Sequence, residues 1–158
     1  MDDIYKLIHV YAGQSEGSPI HEELPALVIG DDVYQLLASP GLALNLAKGD
    51  LVKIIDSNKP AEVVQRGGNF CIQAYGVNIS DASVKVIEDS LRRDLQGSLD
   101  GLNDGNLSFS VPAAMAMDRI NAFFDALVKE FDGQWFYSNI YKNFEDPDDQ
   151  TLDAWWHH

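Results

Sequence analysis

The chain is poor in cysteine, in positive charge and in long apolar runs, and each shortage closes off a class of function. Cys71 is the only cysteine, which excludes a disulfide framework or a cysteine-built metal site. Flanked by Phe70 and Ile72 in an expected strand, it reads as a buried, inert thiol and not as a nucleophile. Lys and Arg together number 11 against 25 Asp and Glu, a formal net charge of -14. A surface of that sign repels phosphate backbones and anionic lipid, so neither nucleic acid nor a membrane is expected as a direct partner. A basic protein partner is favoured, because complementary charge speeds encounter and selects among partners. Plain solubility is the competing explanation. No apolar run approaches the roughly 18 residues of a membrane span. The opening Met1-Asp2-Asp3-Ile4-Tyr5-Lys6 lacks the basic start of a secretory signal, so a cytoplasmic address is expected.

Signatures of catalysis are also missing. His9, His21, His157 and His158 are scattered, and none stands at helical spacing from an acidic partner. The terminal His157-His158 reads as a tag remnant or frayed end rather than a ligand pair. Glu145-Asp146-Pro147-Asp148-Asp149 supplies carboxylates without the central Gly and closing Glu of a calcium loop. There is no Gly-x-Ser-x-Gly and no local Cys–His pairing. Asp31-Asp32 and Asp148-Asp149 are neighbours in sequence, but neighbours on a strand point to opposite faces and loop pairs stay solvated. Arg66-Gly67-Gly68-Asn69 is a Gly-rich turn with a cation, yet no helix start follows to aim amides at a phosphate. It reads as a tight reversal into Phe70. The expectation is a non-enzymatic protein with no metal and no cofactor.

What is present is pattern. With 46% hydrophobic and 23% charged residues, the composition is that of a folded soluble chain, not a disordered one. Residues 3–11 alternate as an opening strand, Gln14 to Pro19 forms a loop, and Glu22 to Ile29 reads as a second strand whose Pro25 implies an edge or early position. Gly30-Asp31-Asp32 turns the chain into Val33–Ala38 as a hairpin. Residues 42–47 hold at most a turn or two of helix. Lys48-Gly49-Asp50 feeds a strand through 51–56, and 61–65 forms another. The first 69 residues are thus a small antiparallel sheet or partial barrel.

Residues 70–141 change period. The strand Phe70–Tyr75 is followed by a helix capped by Ser80 or Asp81, with Val84, Ile87, Leu91 and Leu95 on its apolar face and Gly97 at its end. A weak edge strand at 98–103 turns at Asp104-Gly105 into Leu107–Val111, where Leu107, Phe109 and Val111 face a core and Ser108 and Ser110 face away. A second helix presents Ile120, Phe123, Phe124, Leu127, Val128 and Phe131 and is closed by Asp132-Gly133 before Trp135-Phe136-Tyr137. This is the split βαββαβ plan of ferredoxin-like units. The fold class expected is α+β, with residues 1–144 as a single compact domain: a β-rich part over 1–69 and a ferredoxin-like part over 70–141. The sheet face opposite the helices, carrying Ser108 and Ser110 with Cys71 and Gln73 or their alternates, is expected either to pack on the N-terminal sheet or to meet a partner.

Residues 145–158 form an acidic, Trp-containing tail. Glu145, Asp146, Asp148, Asp149 and Asp153 stand there with no Lys or Arg, and Trp155-Trp156 follow. Aromatic anchors rimmed by charge have the composition of interface hot spots, so these seven residues are the expected partner-binding set. The alternative is that both indoles fold back and seal the body.

At Ser39-Pro40-Gly41-Leu42, Lys48-Gly49-Asp50-Leu51-Val52, Arg66-Gly67-Gly68-Asn69-Phe70 and Trp155-Trp156, the chain resembles an uncharacterised bacterial family of domain-of-unknown-function proteins, over most of residues 20–156. The resemblance implies no catalytic residues. By analogy of size, charge and missing active site, the chain is also similar to immunity proteins of contact-dependent and polymorphic toxin systems. The function expected is therefore neutralisation of a basic toxin domain, a nuclease foremost, through an acidic surface. A small-molecule-binding or regulatory ferredoxin-like module is the alternative.

Overall fold

The computed structural model describes residues 4–157. Met1, Asp2, His158 and Asp3, the first residue of the expected opening strand, lie outside that range. The first sheet is an antiparallel meander in the order β1 (Tyr5–Ser15), β2 (Ser18–Gly30), β3 (Val33–Leu36), β4 (Leu51–Lys53) and β5 (Glu62–Gln65). It stays open: β1 and β5 are its two edges, so no closed barrel forms. The second sheet holds β6 (Asn69–Tyr75), β7 (Ser98–Asn103), β8 (Asn106–Pro112) and β9 (Gln134–Tyr137), in the antiparallel order β7-β8-β6-β9. Helix α1 (Asp81–Leu95) joins β6 to β7, and α2 (Met117–Phe131) joins β8 to β9.

Turn chemistry sets the hairpins. Ser15 pairs with Ser18, so the expected loop over 14–19 shrinks to Glu16-Gly17. Both residues adopt positive φ, 52° and 79°, the two-residue geometry whose twist matches paired strands. Asp104-Gly105 does the same between β7 and β8, with φ of 48° and 82°. Pro25 corrects the reading of β2. It pairs with Leu7 well inside a strand that has neighbours on both sides. The position tolerates proline because β3 ends there: the Pro25 carbonyl accepts from Leu37 N at 3.0 Å, one residue past the last strand residue, so the missing N–H falls where the ladder has stopped.

Alternation splits the second sheet into two faces. Phe70, Ile72 and Ala74 on β6, with Leu107, Phe109 and Val111 on β8, share a core with Ile87, Leu91 and Leu95 of α1 and Ile120, Phe124 and Leu127 of α2. On the other face Cys71, Gln73, Ser108 and Ser110 are all buried. What covers them is the 37–50 connection, which contains no helix. Gln73 Nε2 donates to the carbonyls of Pro40 and Ala43 at 3.0 and 2.9 Å. Ser110 Oγ meets Ser39 Oγ at 2.7 Å. The other side of the same loop sends Ala43 and Leu46 into the core of the first sheet, among Ile8, Val10, Leu24, Ala26, Leu36 and Val52. The face offered as a partner surface is thus filled from within the chain.

Two glycine readings change. Arg66-Gly67-Gly68-Asn69 is not a hairpin reversal; it carries the chain from β5 in one sheet to β6 in the other. A Cβ on Gly67 would fall on the backbone of Gly49, so two loop backbones touch where glycines stand opposite each other. At the end of α1 the left-handed position belongs to Gln96, φ 55°, not to Gly97. Gly97 is needed for contact: a Cβ there would lie 2.7 Å from the Ser110 carbonyl oxygen.

Candidate functional site

Three carboxylates inside the fold hold the loop between the sheets. Glu22 on β2 accepts from Gly41 N at 2.6 Å and from Leu42 N and Ala43 N at 2.9 Å each. Asp100 on β7 accepts from Ser39 N at 2.8 Å, from Ser98 Oγ at 2.7 Å and from Ser110 Oγ. Asp50 is fully buried and accepts from Ala47 N at 3.0 Å, Gly67 N at 2.8 Å and Arg66 Nη1 at 3.2 Å. Burial pushes the Asp50 carboxyl above the usual aspartate range, outweighing the downward pull of the Gly67 amide, the Arg66 charge and the Ala47 amide.

Arg66 is the hub of this joint. Its guanidinium also donates to the Asn45 carbonyl at 2.8 Å and to Asn45 Oδ1 at 2.5 Å, lies 3.9 Å from Asp153 and sits 5.4 Å from the ring centre of Trp155. The four short segments that carried the family resemblance therefore meet at one place. Lys48 N donates to Ser39 Oγ at 3.0 Å, Asn69 Nδ2 donates to the Lys48 carbonyl at 2.9 Å, and Phe70 lies 5.4 and 5.5 Å from Trp155 and Trp156. Sequence reading noted Lys48-Gly49-Asp50 and Arg66-Gly67-Gly68 as turns but not as partners. The available signal was a carboxylate and a guanidinium each beside a glycine, Asp50 after Gly49 and Arg66 before Gly67.

The tail is docked. Trp155 Nε1 donates to the Asn139 carbonyl at 2.7 Å, and both indoles are partly buried against the helix-side core. Trp155 and Trp156 thus seal the body. Before them, residues 141–152 form a loop closed at its base by the Tyr141–Leu152 bridge and by Lys142 N donating to Thr151 O at 2.8 Å. Side-chain caps shape its interior: Asp148 N donates to Asp146 Oδ1 at 3.0 Å and Thr151 N to Asp149 Oδ1 at 3.1 Å. The Thr151 hydroxyl and amide hold the Asp149 carboxyl below the usual range. Of the seven residues nominated from sequence, Glu145, Asp146, Asp148 and Asp149 share this loop. Among the described residues no Lys, Arg or His lies within ion-pair distance of any of the four. Asp153 instead turns inward to Arg66.

One flank of the loop borders an open cavity of about 660 Å³ between the two sheets. Phe144, Glu145 and Pro147 form part of its wall, with Tyr11 from β1, Leu44 from the buried loop, and Gln73, Tyr75 and Phe136 from the second sheet. Tyr75 and Phe136 meet edge to face at 6.2 Å, and the Tyr75 hydroxyl donates to Gln134 Oε1 at 2.7 Å, which fixes the ring. Elsewhere the chemistry is quiet. Burial raises the Cys71 thiol to about 12, so no thiolate forms near neutral pH. Among the described residues, no group of three or more His, Cys, Asp and Glu is placed to hold a metal ion. No helix among them is long and apolar enough to cross a membrane.

Residues 22–135 match the family described as Domain of unknown function (DUF4265). The chain belongs to that family. The matched stretch starts at Glu22 and contains Asp50 and Arg66, so the polar joint lies within it, while the acidic loop and the Trp pair lie beyond it. No curated protein matches the chain. Among solved structures it is similar to a hypothetical protein from Neisseria gonorrhoeae, with 15% identity over 87% of this chain and 95% of that one and a TM-score of 0.58. That likeness extends to fold alone. Neither the family description nor the name of that structure speaks of toxin immunity.

Proposed function

We propose that the protein is a non-enzymatic binding protein for a basic partner, acting in the cytoplasm as an immunity protein that occupies and blocks a basic toxin domain. The observation that supports this reading is the acidic loop at 141–152. Four carboxylates within five residues stand on a loop pinned at its base and braced by its own side chains, with no cation within ion-pair distance among the described residues. Holding like charges together is unfavourable in the free protein, and a cationic surface relieves that repulsion on binding. Because the loop is braced beforehand, little ordering entropy is lost when a partner docks. The carboxylates would then stand where the phosphates of a nuclease substrate otherwise lie. The indoles are spent on the body, so the contact rests on charge and on the loop's own Phe144 and Pro147.

The scaffold reading belongs to the same proposal. The order β6-α1-β7-β8-α2-β9 with strands arranged β7-β8-β6-β9 supports a ferredoxin-like unit carrying the loop beyond its last strand.

The test starts from the neighbouring reading frames. Their products are expressed with and without this chain, and any basic domain that is toxic alone is tested for rescue and for binding. Rescue is expected, together with an association rate that falls steeply between 50 and 300 mM salt, as steered encounters do. Asp148→Lys, whose carboxylate braces nothing in the loop, should slow association severalfold without altering the melt. If no adjacent product is neutralised and no basic protein is retained at low salt, the reading fails. An unchanged rate for D148K would move the contact off this loop.

A further inference from the structure

The geometry points to a small-molecule site in the cavity between the sheets, built for an aromatic amine: a flat ring with an N–H donor to Gln73 and a cationic group to Glu145. This does not rest on the partner reading.

The volume, about 660 Å³, falls within the range of ligand cavities. Its deepest polar group is Gln73, only 4% exposed. Two carbonyls face its Nε2 at 3.0 and 2.9 Å, and only an NH2 group satisfies both, so the amide orientation is settled by its partners. The atom left to the cavity is Oε1, an acceptor to which none of the described residues donates. Held rigidly by its own amide group and open to the cavity, that acceptor can take a donor from outside, and a ligand N–H is one. Tyr11, Tyr75 and Phe136 supply ring surface, and the Tyr75 ring is held by its hydroxyl bond to Gln134. That wall takes a flat aromatic body with little reorganisation.

Charge then selects among aromatic ligands. Glu145 stands in the wall, none of the lining residues is Lys or Arg, and the chain carries a net charge of -14. A carboxylate or phosphate ligand would enter against that field without a counter-charge, whereas an ammonium meets Glu145 and the ring faces of the aromatic wall. The three preferences coincide in a compound with a planar N–H ring and a short aminoalkyl arm.

The probes are tryptamine, 1-methyltryptamine, indole and indole-3-acetate, titrated into the full chain and followed by amide chemical shifts. Saturable tryptamine binding is expected, with the largest shifts at Gln73, Tyr75 and Phe136. Blocking the ring N–H in 1-methyltryptamine should weaken binding about tenfold. Glu145→Gln should weaken tryptamine two- to fivefold, the range of an exposed ion pair, and leave indole unchanged. Leu44→Trp, at a half-exposed wall position, should fill the space and abolish binding with an unaltered melt. The site is overturned by any of four results: no saturation with tryptamine at millimolar concentration, equal affinity for indole-3-acetate, equal affinity for 1-methyltryptamine, or wild-type affinity in L44W. Because L44W leaves Asp148 and its loop neighbours in place, it also separates this site from partner binding, which should survive in that variant.

Discussion

The two sheets are held together by different physics. In the second sheet, fifteen buried apolar side chains gather between strands and helices; in the first, eight do, and two of those come from the intervening loop. The helix-covered sheet is cohesive because large side chains leave water, Phe70, Phe109 and Phe124 among them. The meander has no helix over it, and its core face is closed by a loop whose own backbone must be satisfied. That need is met by Glu22, Asp50 and Asp100, which between them accept from five of its backbone amides, those of Ser39, Gly41, Leu42, Ala43 and Ala47, and from Gly67 of the neighbouring connection. One half of the molecule is stabilised by area, the other by satisfied polar groups. Acidic residues in a chain of this charge are thus not all surface decoration.

The largest break in that contrast comes from Phe124→Ala. Phe124 is fully buried and stacks within 4.9 Å of Phe109, 5.1 Å of Phe123 and 5.5 Å of Trp135. Losing the ring removes its transfer energy and leaves a cavity that three aromatic neighbours cannot collapse to fill, a loss of about 3–5 kcal/mol. Urea melts followed by far-ultraviolet circular dichroism measure it. A midpoint equal to wild type would show that the helix-covered core is not what holds the second sheet.

The same contrast explains how far the sequence could be read. Period is an apolar signal, and it found what area stabilises, both helix faces and the β8 alternation, while the Asp104-Gly105 hairpin was legible from its turn residues. It missed what polar groups stabilise. Glu22 reads as one more acid on a strand, and nothing local says that its carboxylate caps amides 19 to 21 residues away. The 37–50 loop has no period, so its place between the sheets was invisible. The acidic loop was legible as composition, while its docking was not, because the Trp155 contact with Asn139 depends on where the second sheet ends. Glu145 was nominated as a partner contact; its place in the wall of a cavity follows only from bringing β1, the loop and the second sheet together.

A smaller but more informative loss is expected at the joint. Arg66 is 16% exposed and Asp50 not at all. Arg66→Met removes the cation and strands the carboxylate, which costs about 3 kcal/mol, the lower end for a broken buried pair because the Ala47 and Gly67 amides still hold it. The pH dependence identifies the cause. In the folded protein Asp50 already takes up a proton at higher pH than an unfolded aspartate does, so its contribution favours folding below the ordinary value of 3.8 and is lost as pH rises through the raised one. Removing Arg66 raises that carboxyl further. The deficit of R66M relative to wild type should therefore shrink between pH 7.5 and 4.5. A deficit that stays the same on acidification would mean that the pair acts through packing against Trp155 and not through the Asp50 charge.

The smallest effect tests whether glycine at the end of α1 serves the backbone or the packing. Gln96 occupies the left-handed position, φ 55°, where a Cβ is strained and glycine is not. Gln96→Gly should stabilise the protein by about 0.5–1 kcal/mol, since the relief of that strain outweighs the extra freedom of the unfolded chain. Gly97→Ala should do the reverse, because its Cβ would press on the Ser110 carbonyl at 2.7 Å and on Leu91 at 3.0 Å. Ser110 also meets Ser39 on the loop face, so a shift at Gly97 is transmitted through one strand residue from the area-stabilised side to the polar joint. If G97A lowers the melting midpoint and also increases amide exchange at Ser39, the two halves are coupled through β8. A lowered midpoint with unchanged exchange at Ser39 would confine the damage to the helix side and leave the two modes of stabilisation independent.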